Sequence, residues 1–316
     1  MVEGEGMPTE DVSPRFKGLD LWPVPDAVAA LVEGQLAAMA AVVACRDALA
    51  AAVSAAVERL RHSDGRLVYV GAGASGRLAA QDGVELAPTY GWPDRRLAFV
   101  LAGGEGALVR SVEGAEDDVA AAERAVETLA VGSRDVLVGV AASGRTPYTL
   151  AVTKAAHARG ALVIGIANNP GAPLLEAADV SICLDTGAEV VAGSTRMGAG
   201  TAQKAAMNVL STGIMIGLGR VHDNLMVDLA SRSIKLDRRR VEILTRIVPA
   251  DPEEARQALI QASGDIRIAA LWLRGLDQPA AAALMKACEG HLRTALARVE
   301  SQAPPHQRAP GQSLPA

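Results

Sequence analysis

Aromatic residues are scarce in this chain of 316 residues, since Phe, Trp and Tyr together make up only 3% of it. This scarcity argues against an aromatic-rich β-sandwich and favours helices that pack closely on a sheet of small aliphatic side chains. A surplus of positive charge is also lacking, because the formal net charge is −5. We therefore expect neither a nucleic acid nor an anionic membrane as a partner.

Cysteine and histidine are few, and neither forms a pattern typical of a metal site. The cysteines Cys45, Cys183 and Cys288 lie far apart in the sequence, which suits a reducing cytoplasm. The five histidines include no pair spaced four residues apart. We therefore expect no bound metal ion.

Long apolar runs and a secretory leader are lacking as well. We identify no apolar run that approaches the length of about 20 residues needed to span a bilayer. The N-terminal residues MVEGEGMPTED are acidic and contain neither the basic nor the apolar region of a signal peptide. The sequence therefore predicts a cytoplasmic protein without a membrane-spanning segment.

The four-residue sequence Ala-Ser-Gly-Arg occurs twice, at residues 74–77 and 142–145. Each copy directly follows an apolar run that is typical of a strand. A strand that ends in Ser and Gly and leads into a helix offers a hydroxyl, backbone N–H groups and the positive helix end to an anion. Two such turns in one domain predict a phosphorylated ligand held between them.

The alternation of apolar runs and helical segments predicts an α/β fold. Apolar strands separated by helices are typical of a parallel sheet that is covered on both faces. We therefore expect a doubly wound parallel five-stranded sheet, with the ligand at the carboxyl ends of its strands. The predicted strands are 66–70, 96–101, 135–140, 161–167 and 180–184, and the predicted helical segments between them are 77–86, 111–129 and 147–158.

Composition divides the chain into four parts. In order, we predict a flexible N-terminal arm, a sheet domain with a preceding helical segment, a small helical subdomain and a disordered tail. The tail, for example, is rich in Pro, Gln and Ser. The arm comprises residues 1–25, the sheet domain with its preceding helical segment 26–248, the helical subdomain 249–300 and the tail 301–316. Further helical patterns lie at residues 27–62, 231–247, 252–263, 265–273 and 278–298.

The first turn, at residues 71–76, also matches the GxGxxG pattern of dinucleotide-binding proteins. Such a site needs an acidic residue at the end of the second strand, where it binds the ribose. Here that strand ends in Leu-Ala-Gly-Gly, and Glu105 comes only after the glycines. The second copy of the turn also has no place in a dinucleotide site. We therefore expect no nicotinamide cofactor.

A third polar cluster follows the predicted fifth strand. It comprises Glu189, the segment 193–197 with Ser194 and Thr195, and the segment 200–204. Ser and Thr before a helix are ordinary N-caps, and this interpretation explains any single cluster well. Three clusters at equivalent strand ends favour a phosphate pocket of hydroxyls and backbone amides.

Glutamates are the candidates for acid–base chemistry. Glu85 ends the helix that follows the first turn and has apolar neighbours in sequence, so desolvation and the helix dipole would favour its protonated form. A general acid requires that form. Glu113 and Glu116 lie in the segment VEGAEDD, which is equally consistent with a solvated, acidic helix start.

From about Leu19 to Arg298 the sequence resembles the sugar isomerase (SIS) domain proteins, and within them the N-acetylmuramic acid 6-phosphate etherase family. The N-terminal arm keeps Thr9 and Glu10 but departs from many members at residues 13–26. The resemblance rests on the strings VGAGASGRLA, VELAPTYG, LAGGEGAL, VEGAEDD, VGVAASGRTPY, GAEVVAGSTRMGAGTAQK and NLMVDL.

The resemblance implies a cytoplasmic enzyme of cell-wall recycling. Such an enzyme is a carbon–oxygen lyase that cleaves the D-lactyl ether of N-acetylmuramic acid 6-phosphate, giving N-acetylglucosamine 6-phosphate and D-lactate. The resemblance also implies a homodimer that needs neither a metal ion nor a nicotinamide cofactor.

Individual residues match the motifs of this family. Glu85 matches its proton-donor glutamate, Glu116 its second essential glutamate, and Glu189 a glutamate that acts as the base in related isomerases. The hydroxyls that hold the sugar phosphate correspond to Ser75, Ser143 and Thr146. The predicted substrate-binding residues are Ser75, Gly76, Ser143, Gly144, Arg145, Thr146, Glu189, Ser194 and Thr195.

The implied chemistry assigns a hypothesis to each catalytic glutamate. Glu116 would remove the proton on C2, which the aldehyde at C1 makes acidic, and Glu85 would protonate the departing lactate oxygen. Two alternatives stay open. A sugar-phosphate aldose–ketose isomerase needs one base and no acid for a leaving group. A sugar-phosphate sensor, like the glucokinase regulator that has two SIS domains in tandem, binds without turnover.

Overall fold

A computed structural model of the chain describes residues 7–229 and 234–302, without the side chains of residues 234, 235 and 302. Three predictions lie partly outside the described residues. They are the first part of the flexible arm (1–6), the start of the helix predicted from residue 231, and most of the disordered tail (303–316).

The main sheet has five parallel strands in the order β2-β1-β3-β4-β5. The predicted doubly wound five-stranded α/β fold is confirmed. Each strand lies within one or two residues of its predicted limits, because each is an apolar run that ends in glycine or polar residues. The strands are β1 (Leu67–Gly71), β2 (Leu97–Leu101), β3 (Val136–Val140), β4 (Leu162–Ala167) and β5 (Val180–Cys183), and a separate hairpin contains β6 (Val221–His222) and β7 (Leu225–Met226).

Helices cover both faces of the sheet and form most of the rest of the chain. They are α1 (Val24–Ala44), α2 (Arg46–Arg61), α3 (Gly73–Val84), α4 (Leu86–Tyr90), α5 (Val119–Thr128), α6 (Pro147–Ala158), α7 (Pro173–Glu176), α8 (Gly198–Gly217), α9 (Ile234–Ile247), α10 (Pro252–Gln261), α11 (Ile266–Trp272), α12 (Gln278–Ala287) and α13 (Leu292–Gln302). Short 3-10 helices are Pro8–Glu10, Pro14–Phe16, Leu19–Leu21, Asp94–Arg96, Glu105–Leu108 and Ala115–Asp117.

Two helix predictions were wrong at their limits. In the segment 111–129 the α-helix begins only at Val119, because Asp118 caps α5 by accepting a hydrogen bond from the backbone N–H of Ala121 at 2.8 Å. The segment 278–298 contains two helices rather than one. Glu289 and Gly290 between them both have positive φ angles, which end α12.

The core of the sheet is built from small and β-branched residues. On one face, Val68, Val70 and Leu137 pack with residues of α5 and α6. On the other face, Gly83 of α3 lies so close to the rings of Tyr69 and Phe99 that a Cβ there would be 2.6 Å from Phe99. Small residues thus let the helices approach the sheet closely.

The chain divides into two compact units. The first contains the sheet and comprises the described residues up to Leu86 together with Trp92–Ile214. The second comprises Ala87–Gly91 and the described residues from Met215 onward, and it has its own core of helices. Ile243, Leu244 and Val248 belong to that core, although they precede residue 249, at which we predicted the helical subdomain to begin. The predicted domain limits remain predictions.

Helix α1 contradicts the expectation that no apolar run in the chain approaches the length needed to span a bilayer. It is long and apolar enough, by length and composition, to cross a membrane. Asp26 and Glu33 interrupt the run of Ala and Val in this helix, so the sequence does not show it as one continuous apolar run. Apolar side chains that are 42–75% exposed lie along this helix at helical spacing: Val24, Val28, Val32, Leu36, Met39 and Val43.

Candidate functional site

The first Ala-Ser-Gly-Arg turn joins β1 to α3. Ser75 is buried in the first turn of α3, and no side chain among the described residues caps the N-terminus of this helix. Gly76 packs directly on the strand end, since a Cβ at Gly76 would lie 2.8 Å from the carbonyl oxygen of Gly71. The turn therefore presents helix N–H groups and a serine at the carboxyl edge of the sheet.

The second turn joins β3 to α6 and has a different local geometry. The backbone N–H of Arg145 donates to Ser143 Oγ at 3.1 Å. Gly144 has a φ of +63°, and a Cβ there would lie only 2.4 Å from the Cβ of Ala172. Thr146 precedes α6 as its N-cap residue, and its half-buried side chain makes no capping bond within the part of the chain that the structure describes.

The two turns lie side by side. β1 and β3 are neighbours in the sheet, and Gly71 pairs in register with Val140. Because both strands run in the same direction, both turns leave the same edge of the sheet at the same level. The sequence repeat is therefore a spatial pair, as a shared anion site requires. The binding of phosphate there remains a prediction.

Arg77, the arginine of the first copy, holds the loop that follows β2. Its Nε donates to the carbonyl oxygen of Ala107 at 2.8 Å, and a terminal nitrogen donates to that of Arg110 at 3.3 Å. This loop continues to Glu113 and Glu116. The guanidinium of Arg77 thus binds backbone carbonyl oxygens, a role that the sequence motif did not reveal.

Glu116 is exposed on the 3-10 helix Ala115–Asp117, which contacts α6. The loop that carries it starts at the carboxyl end of β2, next to β1. Glu116 therefore belongs to the same edge of the sheet as both turns. Its neighbour Glu113 is exposed as well.

Glu85 lies at the other end of α3 from the first turn. It is the C-cap residue of α3, and ten positions separate it from Ser75. At about 1.5 Å of rise per residue, that is about 15 Å along the helix axis. The expected apolar environment is also absent from the described part of the chain, because Glu85 and its neighbour Val84 are both exposed. One chain does not bring Glu85 to its own turns.

Glu189 has a structural partner that sequence reasoning missed. Its side chain is buried, Oε2 accepts from the backbone N–H of Gly198 at 2.9 Å, and Oε1 accepts from that of Ala199 at 2.9 Å. The carboxylate therefore satisfies the first N–H groups of α8 and lies at the positive end of that helix. A contact of Glu189 with substrate remains a prediction.

Ser194 and Thr195 lie in the turn before α8, and both are half-buried. The backbone N–H of Ser194 donates to the carbonyl oxygen of Val191 at 2.9 Å, and the carbonyl oxygen of Thr195 accepts from the backbone N–H of Gly200 at 2.8 Å. These bonds shape the turn and involve only the backbone of the two residues. A direct role for their hydroxyls in substrate binding remains a prediction.

A buried carboxylate on α3 also escaped the sequence reasoning. Asp82 accepts hydrogen bonds from the Tyr69 hydroxyl at 2.8 Å, from Ser211 Oγ at 3.2 Å and from the Asn208 side chain. Burial and the adjacent carboxylate raise the pKa of Tyr69 well above its ordinary value, so its hydroxyl stays a donor. Asp82 thus fixes the end of α3 that carries Glu85.

Two asparagines that follow β4 connect the strand ends. Asn168 donates to the carbonyl oxygen of Leu184 at 3.0 Å and accepts from Gln203 at 2.8 Å. Asn169 donates to the carbonyl oxygen of Ala142 at 2.9 Å. Both are almost fully buried. The position of an Asn-Asn pair directly after an apolar strand was a signal that could have identified them.

Two protein-family models match the part of the chain that contains the sheet and both turns. The chain matches the glucokinase regulatory protein N-terminal SIS domain over residues 48–157 and the SIS domain over residues 116–212. A solved phosphoheptose isomerase from Francisella tularensis is also similar, with 18% identity, a TM-score of 0.47, and coverage of 62% of this chain and 98% of that one. The sheet unit is an SIS domain.

Relatives of similar length define the particular family. The chain is 47% identical over 295 residues to the N-acetylmuramic acid 6-phosphate etherase of Deinococcus radiodurans, covering 93% of this chain and 96% of the relative. It is 41% identical over 298 residues to the etherase of Streptomyces avermitilis, covering 94% and 95%. The chain belongs to the N-acetylmuramic acid 6-phosphate etherase family.

Proposed function

We propose that this protein cleaves the D-lactyl ether of N-acetylmuramic acid 6-phosphate and releases D-lactate and N-acetylglucosamine 6-phosphate. The observation that carries the proposal is the 47% identity to an etherase over 93% of the chain. The side-by-side position of the two Ser/Gly turns supports it, because a sugar phosphate needs an anion site.

The phosphate group binds between the two turns. Ser75, Ser143 and Thr146 supply hydroxyls beside the N-termini of α3 and α6. Gly76, Gly144 and Arg145 hold the two turns in shape, because their backbone N–H groups donate to Ala72, Ala141 and Ser143 within the turns. This binding is remote from the reacting bond. It therefore contributes orientation of C2 and C3 rather than bond-breaking chemistry.

The reaction proceeds by elimination and then addition of water. Glu116 removes the proton on C2, the C3–O bond to lactate breaks, and Glu85 donates a proton to the departing oxygen. The resulting unsaturated aldehyde adds water at C3 and regains a proton at C2. In sum, one substrate and one water give the two products. Each positioned acid or base contributes roughly 10²–10⁴ in rate.

A second copy of the chain completes this site. Glu85 lies about 15 Å along α3 from Ser75, whereas only a few bonds separate C3 from the phosphate on C6 of one hexose. The exposed apolar side chains of α1 offer a surface that a homodimer would bury. In such a dimer, Glu85 of the second copy acts on the sugar phosphate that is bound at the two turns of this chain.

The dimer has its own test, which uses mixed variants. Glu85→Gln and Ser143→Ala chains are each expected to have little activity alone. If Glu85 serves the partner's turns, random mixing of the two chains restores one intact site in half of the dimers, or about a quarter of wild-type activity. Mixing without any gain would contradict this arrangement. Light scattering of the wild type should give the mass of a dimer. If α1 forms the interface, the double substitution Val28→Glu with Val32→Glu should lower this mass.

We also propose that the protein works in solution in the cytoplasm, with α1 covered by the second copy rather than by lipid. Asp26 and Glu33 within α1 support this choice, since a carboxylate in the centre of a bilayer is costly. Recovery of the protein in the membrane fraction after cell lysis would contradict it.

Incubation of the purified protein with N-acetylmuramic acid 6-phosphate tests the activity. We expect equal amounts of D-lactate and N-acetylglucosamine 6-phosphate. Conversion of an aldose phosphate to a ketose phosphate without lactate would favour an isomerase. Tight binding without any turnover, unchanged by Glu85→Gln, would favour a sensor.

A further inference from the structure

The N-terminal arm is fixed to the carboxyl edge of the sheet by a buried contact. Thr9 lies on the 3-10 helix Pro8–Glu10 and is fully buried. Its backbone N–H donates to Asn169 Oδ1 at 3.2 Å, and Asn169 Nδ2 donates to Thr9 Oγ1 at 2.9 Å. A buried polar pair that is satisfied in both directions holds its segment in one place.

This contact brings the arm to the second turn. Asn169 Nδ2, which bonds Thr9, also donates to the carbonyl oxygen of Ala142 at 2.9 Å. Ala142 directly precedes Ser143. A single buried side chain, Asn169, therefore links the arm and the turn that is proposed to bind phosphate.

The next residue of the arm, Glu10, reaches the third polar cluster. A Cβ built on Gly193 would lie 3.0 Å from Glu10 Oε2, and Gly193 has a φ of +71°. Glycine at residue 193 thus leaves room for the carboxylate. The Glu10 side chain is exposed, and within residues 7–229 and 234–302 no hydrogen bond or ion pair to it is found.

We propose that Glu10 is a specificity-determining residue of the etherase site, and that its carboxylate accepts a hydrogen bond from the sugar. This inference rests on the proposed function. A carboxylate has only acceptors at neutral pH and repels phosphate, so its partner is a hydroxyl or the acetamido N–H of the ring. Glu10 thereby favours sugar phosphates with donors at that position over other phosphate esters.

Glu10→Ala and Glu10→Gln test the proposal, with Asp11→Asn as the matched control. Asp11 is an exposed carboxylate on the same arm, and Asp11→Asn makes the same change of charge as Glu10→Gln. For each variant we would measure kcat and KM for the etherase reaction and the Kd for N-acetylglucosamine 6-phosphate and for inorganic phosphate. The thermal unfolding midpoint confirms that each variant folds.

We expect Glu10→Ala to weaken binding of N-acetylglucosamine 6-phosphate about 10- to 100-fold, the range of one lost hydrogen bond to a charged group. Inorganic phosphate should bind as before or slightly better. Glu10→Gln keeps one acceptor and should lose less, and Asp11→Asn should match the wild type.

Two results would overturn the role of Glu10. One is a Glu10→Ala variant with wild-type affinity for the sugar phosphate. The other is an equal loss of sugar phosphate and inorganic phosphate, which would show that the residue acts only through packing of the arm. A wild-type protein that binds N-acetylglucosamine 6-phosphate but never releases lactate would overturn the proposed activity and leave this binding test valid.

Discussion

The carboxylate of Glu189 accepts a hydrogen bond from the backbone N–H of Gly198 at 2.9 Å. Its second oxygen accepts from Ala199, so the whole carboxylate is used to begin α8. A residue that matches a base in related isomerases is thus a helix cap in this fold. This contact gives Glu189 a structural role, whereas a role as the base remains a prediction.

Glu189→Gln should therefore act on stability more than on proton removal. The amide keeps one acceptor but loses the negative charge at the helix N-terminus, which should cost about 1–3 kcal/mol in the free energy of unfolding. Urea unfolding measures this loss. As a control, Glu176→Gln at an exposed position should change stability by less than about 0.5 kcal/mol.

The same Glu189→Gln variant should still exchange the C2 hydrogen of the substrate with deuterium from the solvent. If this exchange stops while the variant remains folded, Glu189 is the base and the role assigned to Glu116 is wrong.

Gly144→Ala should damage the second turn. A Cβ at this position meets the Cβ of Ala172 at 2.4 Å, in addition to the strain of a positive φ. Gly171→Ala is the matched control, because Gly171 has a φ of +67° and nothing within 4 Å of its Cβ position. The control should cost roughly 1–3 kcal/mol from backbone strain.

We expect Gly144→Ala to cost clearly more than Gly171→Ala in urea unfolding, and to weaken inorganic phosphate binding. Equal losses of stability in the two variants, with phosphate affinity retained in both, would contradict the geometry assigned to the second turn.

The pair of Arg66 and Asp135 should make the protein sensitive to acid. Burial raises the pKa of Asp135, but hydrogen bonds from the Arg66 side chain and from backbone N–H groups, with the Arg66 charge, hold the pKa below its ordinary value. A carboxylate whose pKa is lower in the folded protein stabilises the fold above its unfolded pKa of about 3.9, and this contribution is lost as pH falls through the folded pKa.

Urea midpoints measured from pH 7 down to pH 3 test this expectation. The wild type should lose stability on acidification below about pH 4, and Asp135→Asn should start lower and lose less over the same interval. Parallel curves for the two proteins would show that Asp135 does not contribute to the acid sensitivity.

Substitutions of the two glutamates should affect different steps of the reaction, and these steps can be distinguished in deuterated water. Glu85→Gln should exchange the C2 hydrogen and release little lactate, because the proposed base Glu116 remains and the proposed acid is lost. Glu116→Gln should do neither, with each rate falling by roughly 10²–10⁴. Mass spectrometry of the recovered sugar phosphate measures the exchange. Wild-type exchange in Glu116→Gln would reverse the assignment.

The sheet was predictable because its information is local. Runs such as 67–71 and 136–140 are continuous, apolar and bounded by glycine or charge, so their limits were found to within one or two residues. The repeat of Ala-Ser-Gly-Arg also predicted two similar turns. The parallel sheet then placed the turns side by side.

The contacts that shape the candidate site were not predictable, because their partners are distant in sequence. Thr9 and Asn169 are 160 residues apart, and Arg77 binds carbonyl oxygens 30 and 33 residues away. The exposure of Glu85 was missed for a related reason. Its neighbours in sequence are apolar, but the fold of one chain leaves its side chain and that of Val84 exposed.

Cleavage of the ether in water labelled with ¹⁸O tests the central claim most directly. If lactate leaves by elimination and water then adds at C3, the product N-acetylglucosamine 6-phosphate gains one ¹⁸O atom and D-lactate gains none in its hydroxyl group. Label in the lactate hydroxyl, or no release of lactate at all, would contradict the account.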